Sequence, residues 1–457
     1  MIDVIKLRRL TALFLTLLLV ILPQNAVLAD KVKNTTSQNT VSTQNGGPDV
    51  EFKSVSSLLM NLDTGEIYQA RNIDLKVYPA STTKIMTAIL ALEHGKLNDT
   101  LTVSNTAVKL PSGASGIGLL PGEEVSLNDM MYGLLVSSAN DSANVIAEYV
   151  AGSIDSFVDM MNAKAKELGA MHTHFANTNG LPDDNHYTTA RDMAIMARYA
   201  MKNDSFRKFV KTPSYTMNPT NKYKETRVMH STNKLISSNK GSKYMYSKAI
   251  GIKTGFTTPA QHCLIAAADN GSFPLLSVVM GAPLEGTKDY CYEETIGLFK
   301  WGFSAFKTQS IAPANKTVSE VKVDLARKKD AVTLCTKEEV KALLPKDANE
   351  KEVTVKYKVE KNVKAPVEKG QVLGSASYYY KSNKIATVKL VATESIEQDN
   401  LLVTMDKAYN FLSSPLFLVP VCIIVLLFVT FVVVRQVNSR KKRKGFFMTN
   451  KRRNYRK

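Results

Sequence analysis

A serine and a lysine three positions apart, Ser81 and Lys84, are the first residues in the chain whose spacing indicates chemistry. They lie at the start of a stretch from Thr82 to His94 whose apolar periodicity predicts a helix, so the hydroxyl and the amine would share one helix face. A lysine that is desolvated, or that lies beside another cation, can lose its proton near neutral pH and act as the base for a hydroxyl nucleophile. The pair alone is a weak signal, because the same Ser-x-x-Lys spacing recurs at Ser205, Ser231, Ser237, Ser304, Ser319 and Ser439.

Two further motifs supply partners for such a pair. Ser138-Ala139-Asn140 lies between two stretches predicted as helices, and Lys253-Thr254-Gly255 ends an apolar stretch predicted as a strand. The second triplet occurs only once in the chain. Together with the Ser-x-x-Lys motif at Ser81, these motifs follow the order described for penicillin-binding proteins and class A β-lactamases.

With these motifs the sequence resembles the serine D-alanyl-D-alanine carboxypeptidases, which are low-molecular-mass penicillin-binding proteins of the DD-peptidase type. The resemblance runs from about residue 50 to residue 400. It implies an α+β fold, in which a penicillin-binding/β-lactamase-like transpeptidase domain with an antiparallel sheet and a helical subdomain precedes a small all-β domain and a C-terminal transmembrane helix. The phrases that carry the resemblance are Tyr78 to Lys84, Ser138 to Asp141, Asn179 to Leu181, Ala190 to Met193, Gly251 to Gly255 and Val279 to Gly281.

The resemblance implies a role for each catalytic group. Ser81 would attack the carbonyl between the two D-alanines that end a peptidoglycan stem peptide, and Lys84 would take its proton. Ser138 and Lys253 would form a proton path toward the leaving amine. The backbone N–H groups of Ser81 and Phe256 would form the oxyanion hole. β-Lactam antibiotics would acylate the same serine, because the ring of a penicillin mimics the dipeptide, and slow hydrolysis would make them inhibitors.

A second group of residues would bind the substrate. Asn140 would hydrogen-bond its amide, while Lys253 and Thr254 would bind its terminal carboxylate and so select a free C-terminus. Gly255 and Phe256 would complete this binding strand, and the unusual Phe256 side chain predicts an altered substrate preference. No cofactor is implied, and no metal either, because the six histidines show no zinc-protease spacing such as His-x-x-Glu-His.

Several alternatives share these residues. A class A β-lactamase needs a glutamate to activate the deacylating water, but no glutamate between Asn140 and Lys253 lies in the Glu-x-x-Leu-Asn phrase of those enzymes. A transpeptidase or an endopeptidase would form the same acyl-enzyme and differ only in the acceptor. A non-enzymatic wall-binding protein would not need all three motifs. The middle motif is itself repeated at Ser142-Ala143-Asn144, although the residue after Asn140, an aspartate, favours Ser138.

The elements that must position these residues change in type along the chain. Strands predicted at 55–62 and 66–70 precede a helical block, and strands return near 250–253, 262–268 and 275–280 before a helix over 292–306. Strand pairs that enclose a helical block predict an α+β catalytic domain over 49–306 with a mostly antiparallel sheet. Alternating polar and apolar residues with short turns then predict a separate small β-domain over 310–396.

The positive charge of the chain is concentrated at its C-terminus. The formal net charge is +18, and residues 435–457 contain eleven basic side chains and no acidic one. Residues 411–434 carry no charged side chain and are long enough to cross the lipid bilayer as a helix. The basic residues that follow predict a cytoplasmic tail that binds anionic lipid, so no nucleic-acid partner is needed to explain the positive charge.

The N-terminus has the features of a secretion signal. Three basic residues precede an apolar stretch from Leu10 to Leu22 and a small-residue site that ends at Ala29, which predicts a signal peptide over 1–29. A polar flexible linker follows over 30–48. The protein is therefore expected in the cell membrane as a single-pass protein with an extracytoplasmic catalytic domain. The four cysteines imply no disulfide framework, and a bridge between Cys263 and Cys291 is possible but is not supported by their spacing.

Overall fold

The structure is a computed structural model that describes residues 47–237, 241–361 and 363–453. The predicted signal peptide at 1–29, most of the linker predicted at 30–48 and residues 454–457 of the predicted tail lie outside the described residues. The side chains of residues 350, 437 and 440–453 lie outside the description as well.

Strands and helices alternate through the first two thirds of the chain, and strands dominate after that. The strands are β1 (Ser56–Asn61), β2 (Ile67–Arg71), β3 (Thr100–Thr102), β4 (Glu124–Ser126), β5 (Ser214–Met217), β6 (Arg227–His230), β7 (Ala249–Thr257), β8 (Gln261–Asp269), β9 (Pro274–Ala282), β10 (Leu284–Glu285), β11 (Lys288–Asp289), β12 (Phe306–Ala312), β13 (Thr317–Asp324), β14 (Ala331–Thr336), β15 (Val340–Pro345), β16 (Val353–Val359), β17 (Val363–Lys364), β18 (Val372–Tyr380) and β19 (Asn383–Ala392). The α-helices are α1 (Lys84–His94), α2 (Leu127–Leu135), α3 (Asn140–Ala151), α4 (Ile154–Leu168), α5 (Ala190–Ala200), α6 (Asp204–Val210), α7 (Tyr290–Ala305), α8 (Asn400–Leu412) and α9 (Pro415–Arg453). Short 3-10 helices form at Ala80–Thr83, Lys234–Ile236 and Glu350–Glu352.

A five-stranded sheet in the order β2-β1-β9-β8-β7 forms the centre of the catalytic region, and all of its pairs are antiparallel. Successive side chains of β1 point to opposite faces. Leu58 packs into the core shared with the helical block, whereas Leu59 packs into a second core that contains Phe299 of α7. The sheet is therefore covered on both faces, which confirms the predicted α+β architecture.

The helical block begins its helices with side-chain caps. Ser126, Ser153, Thr189 and Asn203 each accept a hydrogen bond from a backbone N–H in the first turn of α2, α4, α5 and α6, which satisfies a donor that the helix itself leaves free. The sequence analysis assigns no helix to α6. With seven residues, α6 is too short to show a clear helical period, but its Phe206 and Phe209 are buried in the core.

The second domain is built almost entirely from strands. Its β12 begins at Phe306, directly after α7 ends at Ala305, and pairs with β15. The other strands form a six-stranded sheet in the order β16-β18-β19-β14-β13-β17. Buried Val332, Leu334 and Leu390 form part of its separate core. The first strand thus starts before residue 310, where the sequence analysis places the beginning of this domain.

Two helices follow the β-domain. Asp399 caps α8 by accepting hydrogen bonds from two backbone N–H groups, and α8 ends at Leu412. The next helix begins at Pro415, and its segment Pro415–Gln436 is long and apolar enough to cross a membrane. Phe411 and Leu412, which the sequence analysis includes in the spanning segment, belong to α8 instead. Proline at the start of α9 explains the break, because it is tolerated in a first turn but cannot donate a backbone hydrogen bond within a continuous helix.

Candidate active site

Ser81 lies in the one-turn 3-10 helix Ala80–Thr83, which leads directly into α1. Two glycines lie very close to this turn. A Cβ atom on Gly180 would stand 1.8 Å from the carbonyl oxygen of Ala80, and one on Gly255 would stand 3.0 Å from the backbone nitrogen of Ser81. The positive φ of Gly180, +91°, is a second reason for glycine at that position. The turn that contains Ser81 therefore packs tightly between the loop at Gly180 and the edge strand β7 at Gly255.

The amine of Lys84 is fully buried beside this serine. Its Nζ lies 2.9 Å from Ser81 Oγ, 2.7 Å from Asn140 Oδ1 and 2.8 Å from the carbonyl oxygen of Asn179. Burial holds the pKa of Lys84 well below its usual range, and the nearby charge of Lys253 lowers it further, while Asp141 opposes the shift. This shift favours the neutral form of the amine, which is the form that can act as a base.

A neutral Lys84 has a defined arrangement of hydrogen bonds. A neutral primary amine has two hydrogens to donate and one lone pair, whereas the ammonium form has three donors and no acceptor. The oxygens of Asn140 and Asn179 can only accept, so they use both hydrogens. The lone pair is left facing Ser81 Oγ at 2.9 Å. The serine hydroxyl then donates to the amine, which is the geometry that general-base activation requires.

Lys253 makes a second buried contact between an amine and a hydroxyl. Its Nζ is 2.9 Å from Ser138 Oγ and also donates to the carbonyl oxygen of Thr254 at 2.9 Å. Burial lowers the pKa of Lys253 to about 7. Near neutral pH this amine therefore exists in both protonation states, which suits a group that passes protons to and from a hydroxyl.

The loop before α2 is fixed onto the start of α3. The carboxylate of Asp141 accepts hydrogen bonds from the backbone N–H groups of Ile117 and Leu119. Ser115 donates its hydroxyl to the carbonyl oxygen of Ser138, and its own carbonyl oxygen accepts from the backbone N–H of Asn140. These contacts bring Ser115 to the cleft and hold Asn140 beside Lys84.

An open cleft of about 290 Å³ connects these groups. The predicted site residues that line it are Ser81, Ser138, Thr254, Gly255 and Phe256. Lys84, Asn140 and Lys253 are buried behind its wall, and each makes a hydrogen bond to a serine that lines it. The structure therefore brings all of the predicted site residues together. The Phe256 side chain is 60% exposed and lies at the mouth of the cleft.

The repeated middle motif does not reach the cleft. Ser142 is buried in α3, and a Cβ atom on Gly133 would stand 2.4 Å from its hydroxyl oxygen. Asn144 donates to the carbonyl oxygen of Ala107 and accepts from the hydroxyl of Thr178. These contacts make Ser142 and Asn144 parts of the core.

Two groups near the serine were not found by sequence reasoning. The carbonyl oxygen of Asn179 accepts from Lys84, and only the Asn179-Gly180-Leu181 phrase marked this loop in the sequence. Ser115 carried no signal, because a serine in a glycine-containing loop is common. Both act through contacts between distant parts of the chain.

A buried histidine stabilises the turn that contains the serine. His186 Nδ1 accepts from the backbone N–H of Ala176 at 3.0 Å, so Nε2 of the neutral ring carries the hydrogen and donates to Thr83 Oγ1 at 2.7 Å. Thr83 in turn donates to the carbonyl oxygen of Ala80 at 2.8 Å. Burial lowers the pKa of His186 to about 4, which keeps the ring neutral at physiological pH.

The four cysteines are unpaired in the structure. Cys263 and Cys291 are both buried beside the cleft, and the possible bridge between them is not formed. Burial raises the pKa of the Cys263 thiol to about 12.

Comparison with known families gives two matches along the chain. Residues 38–284 match the family described as D-alanyl-D-alanine carboxypeptidase, and residues 306–398 match the C-terminal domain of penicillin-binding protein 5. The two matched regions contain the central sheet with its helical block and the all-β domain.

Among curated proteins, the chain is similar to two D-alanyl-D-alanine carboxypeptidases in particular. It is 34% identical to DacF of Bacillus subtilis over 75% of this chain and 86% of that protein. It is 31% identical to DacC of Escherichia coli over 76% of this chain and 86% of that protein.

Solved structures give the same result. Penicillin-binding protein 5 from Haemophilus influenzae superposes with a TM-score of 0.61 at 29% identity, covering 77% of this chain and all of that chain. PBP3 from Streptococcus pneumoniae, described as a peptidoglycan synthesis regulatory factor, superposes with a TM-score of 0.65 at 25% identity, covering 76% of this chain. The family match and the identity over most of each relative lead to one conclusion: the chain belongs to the D-alanyl-D-alanine carboxypeptidase family of serine peptidases.

Proposed function

We propose that this protein removes the terminal D-alanine from peptidoglycan stem peptides, with Ser81 as the nucleophile. The observation that carries the proposal is the 2.9 Å contact between Ser81 Oγ and the buried amine of Lys84, whose pKa burial holds well below its usual range. Family membership supports the reaction type, and the clustering of the three motifs around one cleft supports these residues as its site.

Acylation begins when Ser81 passes its proton to Lys84 and attacks the carbonyl between the two D-alanines. The backbone N–H groups of Ser81 and Phe256 stabilise the negative oxygen that develops. The close approach of β7 to Ser81, which Gly255 permits, supports this pairing of donors. Ser138 and Lys253 then deliver a proton to the leaving amine, and the terminal D-alanine departs.

Substrate binding uses the same wall of the cleft. The hydroxyls of Thr254 and Thr232 lie 2.6 Å apart, which orients Thr254 beside the partly charged Lys253. This pair binds the terminal carboxylate of the peptide. Asn140 uses its oxygen for Lys84 and one amide hydrogen for Ser115 Oγ, which leaves its second amide hydrogen to donate toward the substrate.

Water hydrolyses the acyl-enzyme in the second half of the reaction, with Lys84 as the base. β-Lactam antibiotics acylate Ser81 in the same way, because they present a reactive amide and a carboxylate to the same groups. The β-lactam product stays bound to the serine, so these compounds act as inhibitors.

The test compares the full chain in detergent with its Ser81→Ala and Ser304→Ala variants. Ser304 is an exposed serine in another Ser-x-x-Lys match and serves as the matched control. We expect Ser81→Ala to lose both labelling by a fluorescent penicillin and D-alanine release from a muropeptide that ends in D-Ala-D-Ala, and Ser304→Ala to keep both. Labelling that persists in Ser81→Ala would show that another residue is the nucleophile.

The same assay separates the related activities. Rapid turnover of penicillin without release of D-alanine would identify a β-lactamase. Formation of a new peptide bond when an amine acceptor is added would identify a transpeptidase, and cleavage of cross-linked dimers would identify an endopeptidase.

We further propose that residues 1–29 direct export and that residues 411–434 contain the membrane anchor, with a cytoplasmic tail at 435–457. The linker at 30–48 and the β-domain at 310–396 then position the catalytic domain at 49–306 within reach of the cell wall. Support comes from the apolar segment Pro415–Gln436 and from the basic residues that follow it. A variant that lacks 415–457 should move from the membrane to the soluble fraction and keep its catalytic rate; retention in the membrane would contradict the anchor.

A further inference from the structure

Three potential metal ligands meet at the cleft, outside the residues assigned to acyl transfer. They are His262 Nδ1 from β8, the carboxylate of Asp289 just before α7, and Cys291 Sγ in the first turn of α7. All three donor atoms lie within 4.8 Å of one another. His262, Asp289 and Cys291 each line the same cleft as Ser81.

The separations between these atoms fit a tetrahedral metal site. Cys291 Sγ lies 3.0 Å from Asp289 Oδ1, and His262 Nδ1 lies 3.4 Å from Asp289 Oδ2. Ligands bound to Zn²⁺ at about 2.0 to 2.3 Å in a tetrahedron stand roughly 3.3 to 3.7 Å from one another. Because His262 and Cys291 face different oxygens of Asp289, the three ligands enclose an ion after a rotation of this carboxylate and shifts of the other two side chains.

The frame that carries these ligands is rigid. Asp289 and Cys291 are buried, and the backbone N–H of Asp289 donates to the hydroxyl of Tyr244 at 2.7 Å. His262 lies on a central strand of the five-stranded sheet, with its ring against that of Phe256 at 4.7 Å between centroids. Because these elements belong to the core, the ligands are held in place before any ion binds, which lowers the cost of binding.

The ammonium group of Lys234 already occupies part of this candidate metal site. Lys234 Nζ lies 3.2 Å from Asp289 Oδ2. The Lys234 side chain is 49% exposed, so it can turn toward solvent. Lys234 Nζ also lies over the rings of Tyr292 and Tyr244, at 5.2 and 5.6 Å from their centroids. One partly exposed ion pair with two cation–π contacts is still weak compared with three metal–ligand bonds.

We propose that His262, Asp289 and Cys291 bind Zn²⁺, with the fourth position open to the cleft. Binding displaces Lys234 from Asp289 and releases the Cys291 thiol proton to solvent, so that the sulfur binds as a thiolate. Metal sites with three protein ligands keep a position for water or for a ligand carboxylate. The ion therefore competes with the substrate for the cleft and slows acylation of Ser81. The site goes beyond the proposed carboxypeptidase function. His262 lies on a different element from Asp289 and Cys291 and outside any known zinc-ligand spacing, which is why the sequence indicates no metal.

The test measures metal binding directly, using the full chain in detergent with a phosphine in place of a thiol reductant. After removal of metals with a chelator, the protein is titrated with Co²⁺ and with Zn²⁺. We expect one ion per chain, and a Co²⁺ spectrum with thiolate-to-metal charge-transfer and tetrahedral d–d bands. Absence of a bound ion, or a spectrum without a thiolate band, overturns the proposal.

Variants identify the ligands and separate this site from the nucleophile. Cys291→Ser should remove the thiolate band, and His262→Gln should weaken Zn²⁺ binding by about tenfold or more. Cys263→Ser, a matched buried thiol beside the same cleft, should keep the band. Lys234→Ala should bind Zn²⁺ more tightly because the competing cation is gone. A band that survives in Cys291→Ser, a band that disappears in Cys263→Ser, or weaker binding in Lys234→Ala would each refute the assignment.

Two further measurements keep the site distinct from the proposed activity. Ser81→Ala should bind Zn²⁺ as the wild type does, so the metal test stands even if Ser81 is not the nucleophile. Penicillin labelling of the wild type should slow when Zn²⁺ is added and recover with chelator. In Cys291→Ser the labelling rate should not respond to Zn²⁺. Equal slowing by Zn²⁺ in both proteins would place the inhibitory ion elsewhere.

Discussion

Replacement of Asn140 by aspartate tests whether the neutral amine of Lys84 is the catalytic base. Asn140→Asp keeps the shape of the side chain and places a negative charge where an amide oxygen now lies 2.7 Å from Lys84 Nζ. An added negative charge favours the ammonium form and raises the pKa of Lys84, which burial now holds well below its usual range.

The size of the effect follows from the distance. Two unit charges about 4 Å apart interact by about 4 kcal/mol at the effective dielectric constant of about 20 that suits protein sites. Because about 1.4 kcal/mol corresponds to a factor of ten, the population of neutral Lys84 at neutral pH should fall by up to about a thousandfold. We expect kcat/KM for D-alanine release, and the rate of penicillin acylation, to fall by a similar factor at pH 7. Both rates should recover as the pH is raised.

The assay is the pH dependence of both rates in wild type, Asn140→Asp and Asn144→Asp. Asn144 lies one turn further along α3, about 6 Å along the helix axis, and contacts Thr178 and Ala107 in place of Lys84. The same charge added there should move the acidic limb of the profile much less. If Asn140→Asp lost the same factor at every pH, with an unmoved acidic limb, the base assignment would be wrong and the amide would act only by binding substrate.

Three other changes test how the structure supports the site. Between pH 7 and pH 5 the free energy of unfolding should fall by about 2 kcal/mol through His186 alone, because the unfolded chain binds a proton near the usual pKa of 6.5 while the buried ring, with a pKa of about 4, does not. The stabilisation is complete above about pH 6.5, and His186→Gln should reduce this pH dependence in denaturant unfolding measured at both pH values. Gly180→Ala should slow penicillin acylation by about tenfold or more, since its Cβ would overlap the carbonyl oxygen of Ala80 at 1.8 Å; an unchanged rate would contradict the tight packing of the turn that contains Ser81. Arg227→Met should lower the free energy of unfolding by about 3 to 5 kcal/mol because it leaves the fully buried carboxylate of Glu123 unpaired, and a loss below 1 kcal/mol would contradict that view.

The sequence was most informative where its signals are local. The strand predicted over 55–62 and the helix predicted over 82–94 depend on short segments, and they form as β1 over Ser56–Asn61 and α1 over Lys84–His94. The helix α8 also left a local signal, since Asp399 precedes apolar residues at helical spacing, but the sequence analysis assigned no element there. The short helix α6 gave little periodicity, and its identity depends on the burial of its two phenylalanines.

The order and spacing of the three motifs were enough to select Ser81 from the other serines that share the Ser-x-x-Lys pattern. The sequence contains the middle motif twice, and only the packing of α3 excludes the second copy from the cleft, because it buries Ser142 in the core. The cluster of His262, Asp289 and Cys291 could not be predicted from the sequence. Its donor atoms meet only when the strand β8 packs against the start of the helix α7.

The sequence by itself determined which side chains are present and how far apart they lie along one helix or strand, and this was sufficient for the family, the α+β fold and the candidate nucleophile. Only the tertiary structure decided the direction in which the pKa values of the two lysines are shifted. Lys84 meets Asn140 and Asn179 across 56 and 95 positions of sequence, and Lys253 meets Ser138 across 115. Burial and such long-range contacts set the pKa of a lysine, because they decide whether its charge keeps water or an opposite charge nearby. A pattern within a short stretch of sequence shows neither the burial of a lysine nor its contacts with distant residues.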